Sequence, residues 1–189
     1  MKVGVLALQG AFREHVKILH RIGVEGIEVR LPEDLEGLKG LIIPGGESTT
    51  MGKLAVNYNL MEPLRNFASE KAVWGICAGM IFMAKEIGMN QPLLGLMDIV
   101  VERNAFGRQA DSFKTTLNIP VLNNGYCKPF PAVFIRAPKL SSVKEPAQVI
   151  ANLPDGTAVA AQQGKWLVTS FHPELTEDLR FHHYFLKLI

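Results

Sequence analysis

Three short, almost uninterrupted aliphatic runs dominate the first half of the chain: residues 2–8 (KVGVLAL), 40–43 (GLII) and 72–76 (AVWGI). A strand that is apolar at nearly every position has no face to show to water. It belongs inside a sheet covered on both sides, as parallel sheets are. The stretches between these runs carry helical patterns. In residues 11–22, Val16, Ile18, Leu19 and Ile22 form an apolar stripe, and Gly23 stands where a C-cap belongs. Residues 26–31 read as a second strand, 32–38 as a short acidic turn or helix, and 60–71 as a helix. Strand and helix alternate, which predicts a parallel, doubly wound α/β sheet.

The second half changes character. Residues 78–87 are expected to be helical and to end at Gly88. Beyond it, residues 93–102, 132–137, 148–152, 157–162 and 166–170 read as strands, with hairpins at Asp155-Gly156 and Gln163-Gly164. Antiparallel strands are therefore added to the parallel core, giving a mixed sheet. Residues 176–188 form a closing helix, with Thr176 as N-cap and Glu177 and Asp178 in the first turn. At 189 residues, 48% hydrophobic and 20% charged, the chain has material for one well-cored domain and is cramped for two.

Twenty Lys and Arg against 18 Asp and Glu give a formal +2 with no basic run, which argues against nucleic acid or an anionic membrane as partner. The longest charge-free apolar run, residues 72–84, falls short of the ~20 residues of a membrane helix. The opening MKVGVLALQG reads as a first strand, not as a secretory signal. Two cysteines, Cys77 and Cys127, make no disulfide framework. A reducing, cytoplasmic location is expected.

Three segments carry chemistry. Gly75-Ile76-Cys77-Ala78-Gly79 lies between a strand and a helix and has the form of a cysteine nucleophile elbow. The glycines permit a sharp turn, and the following helix N-terminus favours a thiolate. The alternative is a small buried cysteine in a glycine-rich turn. His172-Pro173-Glu174 follows a strand, and a His with a Glu two residues on supplies a base and its orienter, or else merely a helix-entry loop. Pro44-Gly45-Gly46-Glu47-Ser48-Thr49 ends the third strand. Its glycines can aim a backbone N–H at an oxyanion, or Ser48 or Thr49 can simply cap a helix. It matches neither phosphate-loop pattern, and no His, Cys or Asp set has zinc-like spacing. Among the other candidates, Met80 to Met83 read as core. His15, His20, His182 and His183 read as solvated positions on surface helices, and Cys127 as packing.

All three segments fall at the carboxyl edge of one sheet, where open α/β folds place their sites. Together with Gly4 to Gly10 (GVLALQG), residues 102–109 (ERNAFGRQ) and residues 134–138 (FIRAP), they make the chain resemble the triad glutamine amidotransferases, over essentially its whole length. Within them it is most similar to the branch that forms glutaminase subunits of pyridoxal 5′-phosphate synthases. The resemblance implies a flavodoxin-like three-layer α/β fold and a single glutaminase domain over residues 1–189. It implies hydrolysis of L-glutamine without metal or organic cofactor, and a barrel-shaped synthase subunit as the partner that receives ammonia. It also implies Cys77 as nucleophile, His172 as base and acid, Glu174 as orienter, and the N–H groups of Gly46 and Ala78 as oxyanion hole. Gly46, Glu47, Ser48, Arg103, Ile135 and Arg136 would surround the glutamine, and Gln9 would couple to the partner. Without the resemblance, Arg103 and Arg136 read as solvated charges. Two rivals remain from the residues alone: another cysteine hydrolase on this fold, or a binding subunit.

A thiol-trapping glutamine analogue is therefore expected to label the chain stoichiometrically at Cys77 and not at Cys127, read by peptide mass spectrometry. Absence of labelling at Cys77 would favour the binding subunit.

Overall fold

The aliphatic runs pair with one another. The computed structural model describes residues 1–106, 112–122 and 128–189. The first half yields β1 (Lys2–Leu6), α1 (Phe12–Arg21), β2 (Glu25–Val29), β3 (Gly40–Ile43), α2 (Ser48–Asn57), α3 (Met61–Glu70), β4 (Ala72–Ile76) and α4 (Ala78–Met83). The second yields β5 (Ala84–Glu86), β6 (Met97–Glu102), β7 (Ser112–Leu117), β8 (Phe130–Ile135), β9 (Lys139–Val143), β10 (Gln148–Asn152), β11 (Ala158–Gln163), β12 (Trp166–Thr169) and α5 (Arg180–Lys187).

Among the described residues the main sheet runs β2-β1-β3-β4-β12-β11-β9-β6-β5, with β10 paired to β11, and β7-β8 form a separate hairpin. From β2 to β12 every pairing is parallel. From β12 to β6 the pairings are antiparallel, as the two turn dipeptides predict for β10-β11-β12. The parallel order is that of the flavodoxin-like folds, in which the chain reverses direction of winding between β1 and β3 and leaves a crevice at the strand ends.

Side-chain alternation splits the interior into two layers of packing. Leu6, Leu41, Ile43 and Val73 point to one face, under α2, α3 and α4. Val5, Ile42, Trp74 and Ile76 point to the other, under α1 and α5. Both faces are covered, which is why the strands are apolar throughout. Met80, Phe82 and Met83 are completely buried, as expected for core.

Several boundaries differ from the sequence expectation. Residues 84–86 leave the helix and pair with β6, while the N–H groups of Leu94 and Leu96 bond to the carbonyls of Phe82 and Met83. Pairing with the sheet thus takes the backbone that helix propensity alone would have kept. The final helix begins at Arg180, not at residue 176. Thr176 Oγ1 is occupied by the Pro173 carbonyl and the Asp178 N–H, and Asp178 bonds to the N–H and guanidinium of Arg180. The strands β7 and β9 have no counterpart in the sequence expectation, and α2 enters it only as the helix that Ser48 or Thr49 would cap. The buried side of α2 is Ser48, Met51, Gly52 and Ala55, a stripe of mostly small residues with little hydrophobic signal.

The sheet's margins are guarded. The outer strand β2 carries Glu25 and Glu28, β5 is three residues long with exposed Lys85 and Glu86, and β10 meets β11 with two register shifts. No helix among the described residues is long and apolar enough to cross a membrane. Cys127 and residues 107–109 of the ERNAFGRQ segment lie outside the described residues.

Gly79 sets how closely α4 approaches β3. A Cβ there would sit 2.1 Å from the Ile43 carbonyl oxygen, a rigid backbone atom. Gly79→Ala is expected to cost about 1–3 kcal/mol of stability by forcing that helix off the strand, read as a lowered midpoint in urea denaturation. An unchanged midpoint would show that α4 can lift without loss.

Candidate active site

The site begins with one strained residue. Cys77 follows β4 directly and takes φ 50°, ψ −101°, a conformation that costs a side-chain-bearing residue energy. Two restraints hold it. Its N–H bonds to the Thr169 carbonyl at the end of β12 at 2.8 Å, and its carbonyl accepts from Ile81 N–H as α4 starts. The turn is tight because Gly75 and Gly79 lie against each other. Cys77 is 7% exposed, and its sulfur lies 4.0 Å from the Ile135 carbonyl at the end of β8.

β12 runs parallel to β4 with Thr169 opposite Ile76, so its continuation emerges at the same edge. Three residues on stands His172, whose N–H is pinned to the Val133 carbonyl. Pro173 opens a one-turn helix, which brings Glu174 back beneath the imidazole. His172 Nδ1 and Glu174 Oε1 are 2.6 Å apart. Gly45 lies against the opposite side of the ring, where a Cβ would come within 2.5 Å of Cε1, so only glycine admits the ring there. His172 Nε2 is buried without a hydrogen-bond partner among the described residues, with Cys77 as neighbour. Burial opposes the charged imidazole, but Cys77 and Glu174 outweigh it and push the His172 pKa up to about 10. Burial also opposes the Glu174 carboxylate, yet His15 and His172 hold it below the usual range.

The loop after β3 forms the facing wall. Glu47 is the N-cap of α2. Its carboxylate accepts from the N–H groups of Thr49 and Thr50 and from Thr50 Oγ1, and it pairs with Arg103 at 3.2 Å. Arg103 is not a solvated charge. Its Nη1 also reaches Thr49 Oγ1 and Gln91 Oε1, at 3.2 and 3.1 Å. Arg136 is exposed, on a left-handed backbone (φ 42°) next to Ile135. Gln9 grips the loop from the other side, Nε2 donating to the Glu47 carbonyl and Oε1 accepting from Glu47 N–H.

The structure brings the nominated residues together. Gly46, Glu47, Ser48, Cys77, Ala78 and Arg103 line a cleft of about 750 Å³ with Ile135, Arg136, His172 and Glu174. Gln9 alone stands behind the wall. Among the described residues no group of three or more His, Cys, Asp or Glu could hold a metal ion.

This arrangement on a flavodoxin-like sheet has relatives. The model of the SNO glutamine amidotransferase family matches residues 5–189. The chain belongs to that family. Pyridoxal 5′-phosphate synthase subunit PdxT of Moorella thermoacetica is 56% identical over 191 residues, covering 100% of both chains. The subunit of the same name from Herpetosiphon aurantiacus is 58% identical over 193 residues, again covering 100% of both. A crystal structure of a glutamine amidotransferase superposes with a TM-score of 0.92 at 52% identity, covering 98% of this chain and 97% of that one. PurLQS from Thermotoga maritima, at 15% identity and a TM-score of 0.73 over 98% of this chain and 97% of that one, shares the fold.

Two residues of this family member depart from the sequence expectation. His15 and His182 were expected on solvated helix surfaces, yet both are buried, His15 next to Glu174. Spacing held the signal. His15 precedes Ile18, Leu19 and Ile22 on the apolar stripe of α1, and His182 adjoins Phe181 and Phe185 on that of α5. His20 and His183 are exposed as expected. Gln91, which completes the Arg103 cluster, carried no sequence signal.

The Glu47 cap has a testable pH signature. Burial raises its carboxyl, but bonds from Thr50 and Thr49 overcome this and lower it from 4.5 to about 2. Its stabilisation is therefore complete above the unfolded value and is lost as pH falls through the folded one. Glu47→Ala should lose about 0.5–2 kcal/mol of stability at neutral pH, with the difference from the parent narrowing as pH drops from 4.5 toward 2. A difference independent of pH, measured by denaturant titration, would assign the loss to packing.

Proposed function

We propose that residues 1–189 form one cytoplasmic glutaminase domain that hydrolyses L-glutamine to L-glutamate and ammonia. The observation that carries this reading is the single cleft in which an elbow cysteine meets a histidine bonded to a buried carboxylate. Cys77 Sγ attacks the side-chain amide carbon of glutamine. The oxyanion that forms takes hydrogen bonds from the N–H groups of Gly46 and Ala78. His172 gives its proton to the departing nitrogen, ammonia leaves, and a γ-glutamyl thioester remains on Cys77. His172 then takes a proton from water, and the hydroxide adds to the thioester carbon. The sulfur leaves and glutamate is released. Glu174 keeps the imidazole oriented and stabilises its charged form in both steps. No metal or organic cofactor enters this chemistry.

Arg103 and Arg136 suit the α-carboxylate of glutamine, which an arginine binds by charge-assisted hydrogen bonds. Glu47, Ser48 and the Ile135 carbonyl suit its ammonium. Relatives carry the name of pyridoxal 5′-phosphate synthase subunits. We therefore assign the ammonia to a synthase barrel subunit that builds pyridoxal 5′-phosphate. In this reading Gln9, bonded to the backbone beside Gly46, relays docking of that subunit to the oxyanion donor.

Cys77→Ala and His172→Ala should abolish glutamate release, and Glu174→Gln should reduce it substantially. Addition of the synthase subunit should raise the catalytic rate at saturating glutamine by about tenfold or more, equivalent to ~1.4 kcal/mol of barrier. Gln9→Ala should weaken that stimulation more than it weakens glutamine binding. Full activity in Cys77→Ala would sink the mechanism; equal rates with and without partner would sink only the coupling.

A further inference from the structure

Behind the cleft lies a buried cluster that the hydrolysis scheme leaves unused. His15 and His182 are 0% and 1% exposed and come from α1 and α5, which cover the same face of the sheet. Their ring centroids are 5.3 Å apart, and the Trp74 ring stands edge-on to both. His15 Nδ1 lies 3.1 Å from His182 Nε2. On its far side, His15 Nε2 lies 3.6 Å from Glu174 Oε2.

The chemistry of Glu174 makes this contact matter. Its carboxylate side chain is wholly buried, and buried carboxylate oxygens need donors. Oε1 is bonded to His172, whereas Oε2 has no hydrogen bond among the described residues. One tautomer of His15 serves it. A proton on Nε2 faces the carboxylate, and Nδ1 is left to accept from His182 Nε2–H. The other tautomer would set an imidazole lone pair against a negative oxygen. The 3.6 Å separation is about 0.6 Å beyond a good N–H···O bond, within reach of a small side-chain rotation.

Burial disfavours a charge on either ring. His15 is lowered by burial, against the pull of Glu174, with His172 lowering it further and Glu14 on its own helix raising it. His182 is lowered to about 3 by burial and by His15, with Glu174 opposing and the neighbouring His183 adding. Trp74, the contribution of β4, does not titrate.

We propose that His15 is a positioning residue for the site: held in one orientation by His182, it directs Nε2–H at Glu174 Oε2 and thereby keeps Oε1 on His172 Nδ1. This rests on Glu174 acting as orienter of His172. Without the donor, the carboxylate can rotate away or take up a proton, and the imidazolium loses its counter-charge.

The test uses the protein together with its synthase partner. His15→Phe keeps bulk and removes the donor, while His15→Gln returns an amide N–H near the position of Nε2. His15→Phe should lower kcat about tenfold or more while KM for glutamine stays within about twofold, the pattern of a lost transition-state interaction. The pH at which iodoacetamide alkylates Cys77, a reading that needs no turnover, should rise by about half a unit or more. His15→Gln should recover most of both. Folded His15→Phe with unchanged kcat and alkylation profile overturns the proposal, as does equal loss in both variants, which would mean packing alone. Should His15→Phe fail to fold, ¹⁵N shifts of histidine-labelled parent protein decide: protonated Nε2 and bare Nδ1 on His15 support it, and the reverse refutes it. If Glu174→Gln itself retains full activity, the orienter reading falls; if Glu174→Gln is impaired and folded His15→Phe is not, this inference falls alone.

Discussion

The parallel pairing of β4 with β12 is the constraint from which the site follows. Thr169 stands opposite Ile76, and the next backbone bond, Cys77 N–H to the Thr169 carbonyl, fastens the elbow to the neighbouring strand. Both chains leave the sheet at that point and in the same direction. One turns sharply into α4 and exposes a sulfur. The other runs three residues further and presents an imidazole. Residues 95 positions apart in sequence are juxtaposed by a register, and a slip by one residue would turn every side chain of the strand to the other face. The unfavourable φ of Cys77 persists because strand, helix and glycine contacts all require it.

Charge is arranged with similar economy. A buried carboxylate is costly unless its oxygens are bonded, and here it is set between imidazoles. His172 lines the cleft and is held strongly basic, whereas His15 and His182 lie deeper and are shifted downward by burial. The same side chain is tuned in opposite directions by its distance from Cys77 and from water. The outer wall uses another solution. Glu47 is satisfied by two backbone N–H groups at a helix start together with the Thr50 hydroxyl and Arg103, in a half-exposed position.

Much of this was legible in the residues. The strands Gly40–Ile43, Ala72–Ile76 and Gln148–Asn152 match expectation residue for residue, because continuous aliphatic runs and flanking turns leave little choice. The elbow, the His-Pro-Glu turn and the glycine loop were recognisable as local chemistry. What could not be read was what depends on tertiary partners. α2 is built on small residues and has no strong stripe, and residues 84–86 become a strand only because β6 is there to receive them. By polarity alone, His15 and His182 read as solvated helix positions. Each in fact sits on its helix's apolar side, and they meet only when α1 and α5 pack on the same face of the sheet.

The guarded margins of the sheet bear on how the protein behaves in a crowded solution. An open sheet invites another chain to add a strand, since its outermost backbone groups are unpaired. Here one margin carries two glutamates, another is too short to template an addition, and the hairpin strand β10 is bent by irregular pairing that spoils a flat approach. Val149, exposed on that strand, is the apolar residue such an approach would reach first. The main sheet can therefore stay wide and largely apolar while its margins discourage the edge-to-edge addition by which such sheets grow into fibres.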